Sequence, residues 1–236
     1  VVSSLIFPVL GAPGVSALYV AAAIYVPLAI WMGMWGVLAG YISCFFLGLY
    51  PNGYSPIVSA VWALADLLEA LIPLLFFRLL KVDPDFTVKR EWAVKFFRPI
   101  LILGAVILIL GVAVQATLGV SYGEPFTTFY VTCYYVGTAL ASAGVIMGLF
   151  VGDPKTWATY IVGGIILPSI VSGWWGAGSL TIFNFPPPLP ESLFWTIFTG
   201  WAIGDLIVLS VIGTALLVEL TSFIKKTPIY VEGWWA

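Results

Sequence analysis

Long apolar stretches separated by short polar turns set the reading of this chain. Ile57 to Leu80, Phe97 to Leu118 and Phe126 to Val151 are each apolar over about the 20 residues that a transmembrane helix needs, and Trp157 to Val171 and Leu193 to Phe223 follow. The polar punctuation falls between them, as PNGYSP at Pro51 to Pro56, a charged loop from Lys81 to Lys95, a turn from Ser121 to Pro125, and GDPK at Gly152 to Lys155. Val15 to Tyr50 carries no charge and is too long for one crossing. Pro27, Gly33 and Gly36 offer the break, which predicts two short helices or a helix with a re-entrant segment. Val1 to Gly14 is apolar but interrupted by Pro8, Gly11, Pro13 and Gly14, and reads as a helix end or an interfacial segment. SGWWGAGSLTIFNFPPPLPE, from Ser172 to Glu191, reads as a long irregular loop, and the run after it is long enough to need tilt or projection. No convincing internal repeat emerges. The pattern predicts an all-α fold, a polytopic transmembrane helical bundle of about six to seven spans. It forms one integral membrane domain over residues 1–236, multi-pass in the cell membrane.

Composition agrees. At 61% hydrophobic, 8% charged and a mean hydropathy of +1.09, the chain is far from the soluble average of about one quarter charged. A net charge of −2 without a basic face excludes nucleic acid as a partner. The lipid bilayer is the partner the composition names. Cys44 and Cys133 sit inside apolar runs, where a thiol behaves as a small apolar residue. There is no His, and no G-x-S-x-G, H-E-x-x-H, C-x-x-C or P-loop, so the chain is not read as an enzyme, no metal site is expected, and no cofactor is named. All nine Lys and Arg lie in or beside the loops that follow Leu80, Val151 and Phe223. The positive-inside rule makes those loops and the C-terminus cytoplasmic.

The few acids inside the apolar runs carry the functional question. Asp66 and Glu69 are three apart and share a helix face. Asp66 lies about 13 Å below the outer end of its helix, near mid-bilayer, where a carboxylate costs about 2.5 kcal/mol or more. Asp205, about twelve residues inside the last helix, is a third acid at that depth. No Lys, Arg or His sits in the middle of any span to balance them, since Arg78 is out of phase with Glu69 and reaches the cytoplasmic interface instead. Two readings follow. The acids line a polar cavity that accepts hydrogen bonds from a ligand or holds a cation, or they are neutral and hydrogen-bond between helices to hold the bundle together. The first makes Asp66, Glu69 and Asp205 ligand-binding residues, with Trp35, Trp62 and Trp201 as aromatic walls. Glu219, nearer the cytoplasmic end, is read as structural. Trp174, Trp175 and Trp195 fit an aromatic belt at the outer interface. The small residues Ala17 and Ala21, with Ala22 and Ala23, permit close helix contact, either inside the chain or with a membrane protein partner.

Two resemblances bear on function. FWTIFTGWAIGDLIVLSVIGTALL, with Trp201, Gly204 and Asp205, together with IPLLFFRLLKVDPD after an ADLLEA helix, resembles membrane-associated sensor domains of bacterial and archaeal signalling proteins. ALYVAAAIYVPLAIWMGMWGVLAGYIS resembles the opening of substrate-binding (S) components of energy-coupling-factor transporters. That second resemblance implies that Ala17 and Ala21 dock a transmembrane coupling subunit and that a loop closes over a small ligand. A sensor is expected to continue into an output domain, and KKTPIYVEGWWA is all that follows the last span. The reading therefore leans to a subunit that binds a small molecule for transport, with a sensory input module and an accessory subunit of a larger membrane complex as alternatives. The topology is testable directly. A cysteine probe at Asn184 should be labelled by an impermeant reagent from outside the cell and one at Asp85 spared, and the reverse pattern overturns the orientation.

Overall fold

The computed structural model describes residues 8–9, 12–16, 19–50, 52–87, 91–118, 124–182 and 189–235. It is a helical bundle preceded by a short antiparallel hairpin of β1 (Pro8–Val9) and β2 (Ala12–Ser16) that lies against the last helix. The hairpin replaces the helix end expected there, because two prolines and two glycines between residues 8 and 14 cannot continue a helix. Five helices are long and apolar enough to cross a membrane: α3 (Pro56–Leu79), α4 (Glu91–Leu118), α5 (Glu124–Val151), α6 (Pro154–Thr181) and α7 (Glu191–Ile224). Two shorter apolar helices, α1 (Ala22–Met32) and α2 (Met34–Leu49), come before them.

The uncharged stretch breaks at Gly33, which sits at φ 62° and ψ −138°, a conformation open to glycine alone. At 1.5 Å per residue α1 is about 16 Å long, half of a hydrocarbon core of about 30 Å. Eight of its eleven residues are buried, in keeping with an apolar surface on all sides. Ala22 and Ala23 are fully buried, so that small-residue stripe is used inside the chain. Ala21 is partly buried against the same core, and Ala17 lies outside the described residues.

The C-terminal tail closes the break. Val231 donates its N–H to the Trp31 carbonyl at 2.8 Å, and Met34 donates to Trp234 at 2.9 Å. Arg78, at the end of α3, ties the tail down by donating to the carbonyls of Gly233 (2.8 Å), Ile30 (3.2 Å) and Val231. The same end carries the ion pairs Arg98–Glu219 and Lys225–Asp83, and Lys155 donates to the Leu80 carbonyl. Helix direction thus gathers the described basic residues at one end of the bundle. The charged loop is pinned there by Phe86, which is buried edge-on against Trp157 and Tyr160 with ring centroids 5.5 and 5.3 Å away.

α4 and α5 pack chiefly on each other. A Cβ on Gly104 would stand 2.9 Å from the Gly137 carbonyl, and one on Gly137 would stand 2.9 Å from that of Gly104, so the two backbones meet at a crossing that only small residues allow. The stretch expected to be a loop from Ser172 is instead helical through Thr181. Gly173 and Gly176 let α6 press against α7 there, and backbone enclosed by apolar neighbours has no partners except its own helix. Gly33→Ala should lower stability by roughly 1–3 kcal/mol, because its Cβ would stand 2.5 Å from the Trp234 carbonyl in a backbone region that side chains avoid. Thermal unfolding in detergent should register the loss, and trypsin should cut the tail at Lys225 or Lys226 faster than in the parent.

Candidate functional site

The interior holds two apolar clusters, and α3 and α7 run through both. Trp62, Ala63 and Ala65 of α3 join Ile197 and Trp201 of α7 in one, while Ala70, Leu74 and Phe77 join Val208, Leu209 and Ile212 in the other. Asp66, Glu69 and Asp205 lie between the clusters and are 0%, 0% and 1% exposed. They form a polar layer across the bundle.

Each acid is brought there by a different local cause. Asp66 and Glu69 share a face of α3, as their spacing requires. Asp205 is presented by α7, where Ser172 of α6 donates to one of its oxygens at 3.2 Å. Tyr25 of α1 donates its hydroxyl to Glu69 at 2.5 Å. Tyr19 and Cys44 lie beside Asp66, and Glu69 and Asp205 lie close enough to interact directly. Both oxygens of Asp66, Oε1 of Glu69 and Oδ1 of Asp205 nevertheless make no hydrogen bond of good geometry, although Tyr19, Tyr25 and Cys44 stand beside Asp66 and Trp201 beside Asp205. The indole N–H groups of Trp62 and Trp201 and the Ser59 hydroxyl are also unpaired. No basic side chain enters the layer, since both ion pairs among the described residues lie at the basic end. Three carboxyls without a countercharge must be balanced by protons or by a cation from outside the chain. Among the described residues no group of three His, Cys, Asp or Glu side chains has the geometry to hold a metal ion.

The aromatic walls divide. Trp62 and Trp201 meet edge to face with centroids 6.2 Å apart, and Tyr54 adds a second edge contact to Trp62 at 5.6 Å. Trp201 can lie flat on α6 because Gly176 leaves no Cβ in its way. Trp35 does not join them. It is 51% exposed and packs against Trp235 of the tail at 5.5 Å, at the basic end, because α2 starts there and turns the indole outward.

A feature missed in the sequence now becomes legible. Trp62 to Leu68 reads WALADLL and Trp201 to Ile207 reads WAIGDLI. The two segments lie on helices that run in the same direction and pack Trp to Trp, and each puts its Asp one turn after its Trp, on the same face. A search for the W-A-x-x-D-L string would have found the pair. Helix irregularities flank it. α6 has a π-helical segment at Ile161–Ile166 and α7 another at Leu209–Gly213, and the Tyr160 hydroxyl donates to the Leu209 carbonyl at 2.9 Å. Such π-helical turns cluster at functional sites. The start of α1 brings its positive dipole end, equivalent to about half an elementary charge, into the neighbourhood of Tyr19 and Asp66.

No family model, curated protein or solved structure matches this chain. Tyr25→Phe should cost about 1–3 kcal/mol by leaving Glu69 Oε2 buried without a donor. Glu69→Gln in the same background should recover part of that loss in thermal unfolding if the group is ionised, because a neutral amide is cheaper to leave there than a carboxylate.

Proposed function

We propose that this chain is a non-enzymatic, multi-pass protein of the cell membrane that binds a small ligand in its acid layer, as the substrate-binding subunit of a transporter. One observation carries the reading: two W-A-x-x-D-L segments on parallel helices converge on a third acid, and four of the six carboxyl oxygens make no hydrogen bond of good geometry. Acceptor atoms of this kind are completed by a ligand that brings hydrogen-bond donors or positive charge. Trp62 and Trp201 add aromatic rings that favour a cation. Sites at the interface of repeated segments near mid-bilayer, beside a half-length helix, are the usual arrangement in membrane transporters. The positive-inside rule places the basic end in the cytoplasm.

Detergent-purified protein should retain a molecule or be stabilised by one, since a ligand that binds only the folded state adds RT ln(1 + [L]/Kd) to stability. Asp66→Asn and Asp205→Asn should each abolish that shift and leave the unliganded protein folded, because Asn is nearly isosteric but cannot ionise. Mass spectrometry of native preparations separates the alternatives. Co-purification with an ATP-driven module supports transport, and a signalling partner supports a sensory input module. A chain stable only inside a larger complex, with no ligand, supports an accessory subunit. Recovery of a lone chain with no ligand, and with both variants unchanged, would reject the proposal.

A further inference from the structure

A second site lies at the basic end, away from the acid layer. An open pocket of about 470 Å³ is walled by Arg78 and Lys81 at the end of α3, Asp83 in the following loop, Lys225 at the end of α7, and Tyr230 and Glu232 in the tail. Both helices end here, so their C-terminal dipoles favour cations. Lys225 pairs with Asp83, but an ammonium has three donors and this pairing uses one of them. Arg78 spends Nε and Nη2 on carbonyls of the tail and of α1, and its guanidinium also faces the Tyr230 hydroxyl. Lys81, exposed and held at φ 50°, has no ion-pair partner among the described residues. Three cations face two carboxylates and the partial negative ends of two helices, so the pocket carries little net charge, and it is the unused ammonium donors of Lys81 and Lys225 that suit an acceptor that is anionic and rich in oxygens.

The surroundings say where that acceptor comes from. Leu79 and Leu80, beside the pocket, are exposed apolar side chains, as is Phe223, two residues before Lys225 and about half a turn round the helix from it. Trp234 and Trp235 are also exposed, two and three residues after Glu232. Apolar side chains below a basic pocket, with indoles at its level, are the pattern of a membrane interface. We infer that this pocket holds the phosphoryl group of an anionic phospholipid headgroup, with the acyl chains along Leu79 and Leu80. Asp83 and Glu232 then accept hydrogen bonds from the hydroxyl or amino groups that follow the phosphate.

The inference is independent of the ligand in the acid layer. The full chain in detergent is titrated with dihexanoyl phosphatidylglycerol, dihexanoyl phosphatidylcholine, and inorganic phosphate, with thermal unfolding as the readout. The glycerol lipid should give a saturable rise in Tm that phosphatidylcholine and free phosphate do not match. Lys81→Asn removes the charge with a residue that tolerates left-handed backbone, and should weaken the apparent affinity by about fivefold. Glu232→Gln should tighten it, and Lys95→Gln, outside the pocket, should leave it unchanged. The proposal fails if no saturable shift occurs, or if Lys81→Asn and Lys95→Gln weaken the effect equally. A shift produced as well by inorganic phosphate would overturn the lipid as its source.

Discussion

Carboxyl oxygens that neither water nor a basic side chain can reach must be balanced by protons, by donors or by a ligand, and here three acids meet in one layer with a few donors between them. Tyr25 serves Glu69 and Ser172 serves Asp205, while Asp66 is left with neither oxygen bonded. The rest of the interior is arranged around that shortage. Two copies of W-A-x-x-D-L bring two of the acids in on parallel helices, and the half-length helix α1 starts beside them. Burying ionised groups costs several kcal/mol each unless they are well paired. A purely structural layer would be cheaper if built from Ser, Thr or apolar residues. The use of three acids with open acceptor positions argues for a partner that is not part of the chain.

A second constraint acts at the basic end, where backbone must be satisfied within a membrane protein's interior. The break at Gly33 frees the carbonyl of Trp31 and the N–H of Met34, and the C-terminal tail supplies a partner for each. Arg78 then holds the tail through three carbonyls. The residue that reads as an interfacial anchor is also a clamp between α1, α3 and the tail. Its position makes the basic pocket possible, since the tail forms that pocket's outer wall.

How much of this is legible in the sequence follows from what kind of signal each feature leaves. Asp66, Glu69 and Asp205 stand out because a charge at mid-depth is costly, and Glu219 reads as structural because it lies near the basic end, where Arg98 meets it. Depth is encoded in the run lengths, but the direction a side chain takes around a helix is not. Trp35 and Trp201 therefore look equivalent in the chain, although one faces Trp235 and the other faces Trp62. The helix through Ser172 to Thr181 was hidden by its glycines, which signal a loop in water and close packing in a membrane. Phe86 lay in a charged loop, with nothing local to show that it enters the core. The docking of the tail depends on contacts across nearly the whole chain, which no local pattern reports.

The charge distribution along the bundle also bears on how a cationic ligand would reach the acid layer. Toward the basic end the route is filled by Phe77, Phe86, Trp157 and Tyr160, all of them buried, and beyond them lies a surface bearing Lys81, Lys155, Lys225 and Lys226. A cation approaching there meets like charge and then a packed aromatic core. Toward the other end lie Tyr54, Trp62 and Trp201, whose ring faces attract cations, and the loops there contain no Lys or Arg. The field of the whole molecule thus lowers the barrier from the end that lacks Lys and Arg, where Glu124 and Glu191 begin their helices, and raises it from the basic one. For the cationic ligand proposed above, this charge pattern would favour entry from the side opposite the basic loops, and passage toward those loops would require the aromatic core around Phe86 and Trp157 to move.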